Sequence, residues 1–366
     1  MQTVYRFEIK PTYQQQMIMF QTLKLCRNLY NWALSERQRV YKETGQGLSY
    51  NKQQNLLPAY VKEHPEYKEV HSQVLQDVLR RLDYAHKRFF EKKAGYPRFK
   101  NRDHYNSFTY PQVDTVRKTF AKSGYIYLSK IGFVKMIVHR EFEPQKVSRA
   151  NVKYHGGKWY ANLTAEISAP PAVGGVNSNG KSVGIDVGLE YFAVLSDGTF
   201  IETSKHYRKA ERKLAKLQRR LSRKKKGSNN RGKAKKEVAK LHAKVANQRK
   251  DFLHKASLTI VKNYDIIVME DLRIKNMAKN RHLAKSIHDA GWGQFGGYIR
   301  YKAERHGKVH VKVNPNSTSQ ECLCGAHVPK DLSIRIHRCP VCGLVEPRDL
   351  VSAKLIERMG LSLLAA

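Results

Sequence analysis

Hydrophobic and polar residues alternate with two different periods along this chain, and the changes of period divide its first half. Residues 3–10 alternate with a period of two and stop at Pro11, which predicts a short, half-buried strand. From Gln14 the apolar positions recur about every 3.6 residues until Gly45, which predicts a long helix. A second stripe of this kind covers residues 74–89 and predicts another helix.

Strand-like patterns return between residues 98 and 168. Four apolar runs predict strands, at residues 125–128, 134–138, 152–154 and 159–165. Gly156 and Gly157 supply a turn between the last two runs. If the N-terminal strand pairs with these later strands, the result is a small β-barrel interrupted by a helical module.

This pattern sets the expected boundaries of the first half. We place the barrel at residues 1–12 and 95–170, and the inserted helical module at residues 13–94. Residues 171–181 open with proline and continue with glycine and asparagine, which predicts a linker. The overall expectation is a multi-domain α+β protein.

Beyond the linker, apolar runs end in carboxylates. Residues 182–186 end in Asp186 and are followed by a second apolar run at 191–195, which predicts a hairpin of buried strands. Another short run ends in Glu270, and Asp349 opens an amphipathic segment that predicts a helix. A buried carboxylate is costly unless a cation meets it, so a salt bridge or a metal ion is expected beside Asp186. A purely structural aspartate is the alternative.

The three acidic residues lie about eighty positions apart, so folding alone can bring them together. Convergent carboxylates repel one another, and a pair of divalent cations relieves that repulsion while polarising a phosphodiester and activating water. After Glu270 the sequence predicts a polar loop through Lys285, a helix over residues 289–306 and a strand over residues 309–313. The acidic residues are therefore candidates for a metal-dependent active site.

A basic helical hairpin is predicted at residues 203–262, between the first two acidic strands. Residues 205–250 hold 20 Lys or Arg against two acidic residues, Glu211 and Glu237. A solvated charged face is the alternative, but so many unpaired cations favour contact with phosphates. Six candidate nucleic-acid contacts lie near its turn: Arg219, Arg220, Arg223, Lys224, Lys225 and Lys226.

The charge of the whole chain points the same way. The 68 Lys and Arg residues exceed the 31 Asp and Glu residues and give a formal charge of +37, which repels itself unless a polyanion surrounds it. No apolar run approaches the roughly 18 residues of a membrane span, and the N-terminus lacks the apolar region of a signal peptide. We therefore expect a cytosolic protein that binds nucleic acid.

Four of the five cysteines cluster near the C-terminus. Cys322 and Cys324 form one pair and Cys339 and Cys342 another, about fifteen residues apart, which suits a tetrahedral zinc site in a reducing compartment. The first pair has one residue between its thiols, so His327 or His337 is considered as a substitute ligand, and a metal-free ribbon is the alternative. The fifth cysteine, Cys26, is expected to fill a hydrophobic core.

Taken together, these motifs resemble the TnpB family, insertion-sequence-encoded RNA-guided nucleases regarded as ancestral to type V CRISPR effectors. The resemblance covers nearly all 366 residues. It is carried by GIDVG at 184–188, LSDG at 195–198, VMEDL at 268–272, DAGWGQF at 289–295, NPNSTSQ at 314–320 and RCPVCG at 338–343, which leads to Arg348-Asp349.

The resemblance implies an RNase H-like (RuvC) nuclease domain at residues 182–320 and 345–366, with a zinc-ribbon-like insertion at 321–344. Motif by motif, the family's acidic triad falls on Asp186, Glu270 and Asp349, which would hold two Mg²⁺ ions. The four cysteines would hold a structural Zn²⁺, although the family has two residues between the first pair of thiols. The barrel and the helical module correspond to the wedge and recognition domains.

By this resemblance the protein is expected to be an RNA-guided DNA endonuclease. It would cleave double-stranded DNA beside a short flanking motif, as a monomeric ribonucleoprotein with its guide RNA in the cytoplasm of a prokaryotic cell. Two other hypotheses stay open: an unguided insertion-sequence transposase, which uses three acidic residues on the same fold, and a nuclease-inactive or decayed RNA-guided DNA-binding protein. All three carboxylates are present in this chain.

Overall fold

The computed structural model describes residues 2–112, 124–143, 146–167, 180–316, 318–331 and 334–365. The chain divides into two units, Met1–Ser168 and Ala169–Ala366. Both contain helices and sheets, which confirms the expectation of an α+β protein. Of the predicted linker, residues 171–179 lie outside the described residues.

The first unit contains a six-stranded antiparallel sheet. Its strands are β1 (Gln2–Lys10), β2 (Ser107–Tyr110), β3 (Tyr125–Leu128), β4 (Gly132–Ile137), β5 (Val147–His155) and β6 (Lys158–Glu166), in the order β2-β5-β6-β1-β4-β3. The period-two pattern of β1 puts Tyr5, Phe7 and Ile9 into the core, while β6 and β4 pair with its two edges. Among the described residues the outer strands β2 and β3 do not pair, but the Tyr110 hydroxyl donates to the Ser129 carbonyl at 2.8 Å.

The helices of this unit lie between β1 and β2. They are α1 (Tyr13–Thr44), α2 (Tyr50–Glu63) and α3 (Ser72–Phe90), with a short 3₁₀ turn at Pro65–Glu69. Thr12 caps α1 by accepting from the Gln15 amide, and Gly45 ends it with a φ of 68° that glycine adopts readily. The apolar stripes of α1 and α3 share one core with the sheet. The sequence pattern missed α2 and β2.

The second unit is built on a five-stranded mixed sheet. Its strands are β7 (Ser182–Asp186), β8 (Tyr191–Leu195), β9 (Phe200–Glu202), β10 (Ile266–Glu270) and β11 (Val309–Val313), in the order β11-β10-β7-β8-β9. β7, β10 and β11 are parallel, whereas β8 and β9 run antiparallel to their neighbours. The carboxyl ends of β7 and β10 therefore lie side by side at one edge of the sheet.

Helices cover both faces of this sheet. They are α4 (His206–Ser222), α5 (Asn229–Asn263), α6 (Ile274–Met277), α7 (Arg281–Ala290), α8 (Trp292–Arg305) and α9 (Arg348–Ala365), and a small hairpin of β12 (Ile336–Arg338) and β13 (Val345–Pro347) precedes α9. Ile267 packs with α5 and α8 on one face, and Val268 packs with Ile356 of α9 on the other. In the parts of the chain that the structure describes, none of the helices is both long and apolar enough to cross a membrane.

The segment after Glu270 differs from its prediction. The expected polar loop through Lys285 contains α6 and the start of α7, and the expected helix over 289–306 is broken at Gly291. Gly291 ends α7 with a φ of 75° and donates its N–H to the Ile287 carbonyl. An added Cβ there would lie 3.2 Å from Arg249 Cδ, so crowding as well as backbone conformation favours glycine at this break.

Candidate active site and cysteine cluster

Two glycines let α9 lie directly against the sheet. A Cβ on Gly184 of β7 would lie 2.0 Å from the Ala353 carbonyl oxygen, and a Cβ on Gly360 of α9 would lie 2.4 Å from the methyl groups of Val268 in β10. Gly184 and Val268 are paired neighbours in the sheet, so α9 crosses β7 and β10 at a close approach that only glycine permits. This contact fixes where the helix begins relative to the strands.

The same packing places the three predicted acidic residues at the same end of the sheet. The last parallel pair of β7 and β10 is Ile185 with Met269, so Asp186 and Glu270 follow at the adjacent carboxyl ends. Asp186 lies two residues beyond Gly184, on the same face of β7. Asp349 lies one turn before Ala353 on the same face of α9. The contact between Gly184 and Ala353 therefore directs Asp349 towards Asp186.

The electrostatics agree with this convergence. Burial raises the pKa of Asp186 well above its usual value, and the neighbouring Glu270 and Asp349 carboxylates raise it further. Burial also raises the pKa of Glu270. Carboxylates in this state gain stability when a cation replaces the missing water and offsets their mutual repulsion. The donor set consists only of carboxylate oxygens, which suits a hard divalent cation such as Mg²⁺.

Two further side chains hold the carboxylates. The buried Thr318 hydroxyl donates to Glu270 Oε1 at 2.6 Å, and the Arg348 guanidinium forms an ion pair of 3.0 Å with Asp349 Oδ1. Arg348 also donates to the Ile334 carbonyl at 3.1 Å, in the segment that follows the first cysteine pair. Both residues lie in the sequence motifs, but no role follows from the motifs alone. Thr318 reaches Glu270 across 48 positions, and the motif does not show that Arg348 turns back to its own neighbour, Asp349.

The four predicted cysteines form one cluster, with all their sulfurs within 4.8 Å of one another. The Cys322 and Cys342 sulfurs lie 3.6 Å apart, and the Cys324 and Cys339 sulfurs 3.7 Å apart. Tetrahedral Zn–S bonds of about 2.3 Å require sulfur separations of about 3.8 Å. Within the described ranges, these four cysteines are the set of three or more metal-ligating side chains whose ligand atoms lie this close to one another. Their sulfur separations fit a zinc ion.

The shortened first turn still brings its thiols together. In the first turn, the Gly325 amide donates a hydrogen bond to the Cys322 carbonyl at 2.9 Å. In the second turn the hydrogen bond spans one residue more, from the Gly343 amide to the Cys339 carbonyl at 3.0 Å. The Cys342 amide points at Cys339 Sγ at 3.5 Å and helps to lower the pKa of that thiol to about 6, which favours a thiolate ligand.

Neither histidine considered as a substitute ligand joins the sulfurs. His337 is fully buried, and its Nδ1 contacts Lys330 Nζ. His327 is exposed and lies outside the cysteine cluster. The four thiols therefore form the donor set without a histidine.

The predicted basic residues lie near the turn of a helical hairpin formed by α4 and α5. Leu214, Ala234 and Val245 are buried between the two helices. Arg231 donates to the Leu221 carbonyl at 2.8 Å and so closes the end of α4. All six candidate contacts lie at the end of α4 or in the turn, and only Lys224 among them is half-buried.

A cleft of about 430 Å³ on this hairpin is lined only by cations: Lys216, Arg219, Arg220, Arg223 and Lys224. Arg220 pairs with Glu237 at 3.2 Å. In the described part of the chain, the other four form no ion pair with an acidic residue, so their charges favour an anion from outside the hairpin.

Three family models match the chain. The model described as "Probable transposase" matches residues 172–281, the one described as "Cas12f1-like, TNB domain" matches residues 292–356, and the one described as "Helix-turn-helix domain" matches residues 1–46. Over residues 2–46 the structure has β1 and the single helix α1, so this match does not correspond here to two helices joined by a turn.

Curated proteins are similar along nearly the whole chain. The Escherichia coli (strain K12) protein named "Putative RNA-guided DNA endonuclease InsQ" is 34% identical over 382 residues, which cover 99% of this chain and 93% of that protein. The Streptomyces pristinaespiralis protein named "Putative RNA-guided DNA endonuclease" is 32% identical over 368 residues, covering 98% and 89%. "TnpB-like protein L79" of Acanthamoeba polyphaga mimivirus is 28% identical over 207 residues, covering 51% and 38%.

Solved structures are similar at much lower identity. The protein chain of a Cas12f1–sgRNA–target DNA complex is 15% identical, with 98% of this chain and 99% of that chain covered and a TM-score of 0.38. The mini-RNA-guided endonuclease CRISPR-Cas_phi3 is 8% identical, with 99% and 92% covered and a TM-score of 0.47. The two curated matches above 30% identity, each spanning almost the full chain, establish that this protein belongs to the TnpB family.

Proposed function

We propose that this protein is an RNA-guided DNA endonuclease that cleaves double-stranded DNA beside a short flanking motif. The observation that carries the proposal is the convergence of Asp186, Glu270 and Asp349 at the carboxyl ends of β7 and β10 and the start of α9. The strand order β9-β8-β7-β10-β11 supports an RNase H-like (RuvC) domain. The two long relatives are both named as RNA-guided DNA endonucleases, which supports the same activity.

The acidic triad is the proposed catalytic centre. Asp186, Glu270 and Asp349 would hold two Mg²⁺ ions, which supply activation of water and neutralisation of charge on the phosphate. Thr318 fixes the orientation of Glu270, and Arg348 fixes that of Asp349, so the oxygens keep their positions when a substrate arrives. The raised pKa of Asp186 means that cation binding and loss of its proton are linked.

The proposed partners are a guide RNA and a double-stranded DNA target, bound by one protein chain in the cytoplasm of a prokaryotic cell. A charge of +37 needs a polyanion to relieve its self-repulsion, and a folded RNA supplies many phosphates. The proposed phosphate contact in the nuclease half is the hairpin at 203–262. It comprises the cationic cleft and the six predicted contacts Arg219, Arg220, Arg223, Lys224, Lys225 and Lys226.

The domain assignment follows the same proposal. Residues 1–12 and 95–170 would form a wedge-like barrel, 13–94 the helical recognition module, and 171–181 the linker. The approach of β2 to the end of β3 through Tyr110 supports the barrel. Residues 182–320 and 345–366 would form the nuclease domain, and the ribbon at 321–344 would hold structural Zn²⁺ through Cys322, Cys324, Cys339 and Cys342.

An unguided transposase is the second candidate, favoured by the "Probable transposase" model that matches residues 172–281. Both candidates use the acidic triad, and only the first needs RNA. A decayed copy that binds without cutting is the third candidate, although all three carboxylates are present in this chain.

The test compares cleavage of a matched duplex with and without the RNA that copurifies with the protein, at saturating Mg²⁺. We expect RNA-dependent cutting that Glu270→Gln abolishes while target binding persists. The matched control is Asp271→Asn, which changes the next carboxylate, exposed and paired with Lys312, and should leave cutting intact. Equal cutting without RNA would favour the transposase, and binding without cutting at saturating RNA would favour the decayed copy.

A further inference from the structure

A cavity of about 220 Å³ lies beside the triad, between the carboxyl ends of the parallel strands and α8. Glu270 forms part of its wall, and the rest of the lining comes from α8, from the face of the sheet that packs against α8, including Ile185 and Met269, and from the segments after β7 and β10. His310 and Lys312 of β11 contribute a polar side. The triad itself does not account for this space, because Asp186 and Asp349 are not among the lining residues.

Three glycines leave the α8 wall of this cavity bare. Gly293, Gly296 and Gly297 lie at helical spacings of three and four, so they share one face of a 14-residue helix. Packing does not demand them: a Cβ on Gly297 would meet no atom within 4 Å, and one on Gly296 would lie 4.0 Å from Met269 Cε. Since glycine is the least favourable helix residue after proline, its use here keeps the cavity open at a cost to the helix.

Two side chains of the cavity wall carry buried ring nitrogens without partners. Trp292 is 5% exposed, and its indole N–H has no hydrogen-bond partner in the described part of the chain. His310 Nε2 is likewise buried and unpartnered there. Burial and the nearby Lys312 and Arg300 lower the pKa of His310 to about 4, so its ring is neutral near pH 7. Buried donors without partners are costly, which indicates that a ligand or water completes them.

The rim carries positive charge. Arg300 is exposed at the edge of the cavity, and Lys312 pairs with Asp271 across the neighbouring loop. The site thus combines apolar walls, which include a largely buried indole ring, with a cation at the opening. Its volume is below that of pockets for drug-sized ligands and suits a single heterocycle.

We propose that this cavity holds the base of one nucleotide next to the scissile phosphate, with the face of the base on the bare glycine face of α8, beside Trp292, and its phosphate at Arg300. The inference rests on the proposed nuclease function and adds a substrate subsite to it. Contact through the face of a base is sequence-tolerant, because every base has a π-face. The subsite would therefore set where the strand is cut without selecting its sequence.

The experiment fills the cavity from the protein side and empties it from the DNA side. Gly297→Leu is the filling variant, and Ser362→Leu, at an exposed position near the end of α9 where the hydroxyl donates to the Arg358 carbonyl of the same helix, is the control. Single abasic sites are moved along both strands near the cut, and single-turnover cleavage is measured at saturating RNA and Mg²⁺.

For the wild type and Ser362→Leu we expect one abasic position to slow cleavage by about 5- to 150-fold, the range for loss of one stacked base. Gly297→Leu should slow cleavage of the intact duplex by a similar factor and should be insensitive to the abasic site at that position. The subsite would be overturned if the losses of rate from Gly297→Leu and from the abasic site were additive. It would also be overturned if no abasic position affected Gly297→Leu and the control differently. A wild type that does not cut the intact duplex would instead overturn the proposed function.

A second variant covers a folding defect in Gly297→Leu, which thermal unfolding and RNA binding would reveal. Arg300→Gln changes an exposed side chain and leaves the packed face of α8 untouched. We expect it to slow cleavage of the intact duplex and to weaken the salt dependence of the cleavage rate, with the abasic effect retained. An unchanged rate and salt dependence in Arg300→Gln would remove the phosphate contact from the proposal.

Discussion

Replacing Gly184 with alanine tests whether the contact between β7 and α9 positions the acidic residues. A Cβ on residue 184 would lie 2.0 Å from the Ala353 carbonyl oxygen and 2.6 Å from the Glu357 amide nitrogen, and neither backbone atom can rotate away. Ordinary contact begins at 3.4 Å, so α9 must move from β7 by about 1.4 Å. Because Asp349 lies one turn from Ala353 on the same helix, this movement also displaces Asp349 from Asp186.

The expected magnitudes follow from this displacement. Overpacking a core typically costs about 1–3 kcal/mol, which lowers the melting temperature of a unit of this size by about 2–12 °C. A misplacement of about 1 Å at a catalytic group costs about 100-fold in rate. We therefore expect Gly184→Ala to remain folded at 25 °C and to lose about 100-fold or more in single-turnover cleavage, measured at saturating RNA and Mg²⁺ beside thermal unfolding.

Gly232→Ala is the control, because this exposed glycine in α5 has open space around its Cα. Alanine there should stabilise the helix by up to about 1 kcal/mol and leave cleavage unchanged. If Gly184→Ala kept the wild-type cleavage rate, the close contact would not be what positions Asp349. If it lost activity only together with its folded structure, the loss would reflect stability and not geometry.

Three further predictions concern the carboxylates and the ribbon. Burial and the neighbouring carboxylates raise the pKa of Asp186, so the native state keeps a proton that the unfolded chain loses above about pH 4. Without Mg²⁺, stability should therefore fall as pH rises, and Asp186→Asn should raise the melting temperature at pH 8 more than at pH 4; an equal effect at both values would contradict this reasoning. Cys339→Ser should lower the zinc content and the melting temperature. Chelation should destabilise the wild type but scarcely affect the variant. A wild type that is purified without zinc and is unaffected by chelation would exclude a structural zinc. Arg348→Gln should slow cleavage by tenfold or more and speed zinc loss, because Arg348 binds both Asp349 and the Ile334 carbonyl. Arg358→Gln, which breaks a contact to the Leu323 carbonyl, should speed zinc loss but leave cleavage unchanged at saturating zinc. Equal cleavage by the two variants would refute this distinction.

Local patterns predicted most of the regular elements. The period-two run at residues 3–10 is β1, the 3.6-residue stripe from Gln14 is α1, and the apolar runs that end in Asp186 and Glu270 are β7 and β10. These succeed because burial of one face, or of a whole strand, leaves its period in the sequence. The predictions failed where the period is weak: β2 is four residues long, α2 contains Pro58, and α7 ends at Gly291 inside what looked like one helix.

Residue type and position within an element are local properties, so the sequence by itself determined the acidic residues, the cysteine ligands and the basic hairpin as candidates. Only the tertiary structure decided that Gly184 and Gly360 let α9 lie against the sheet, and that Thr318 reaches Glu270 across 48 positions. It also decided that the shortened turn at Cys322 still brings four sulfurs together. These distances arise from packing between segments far apart in the chain, and no local period records them.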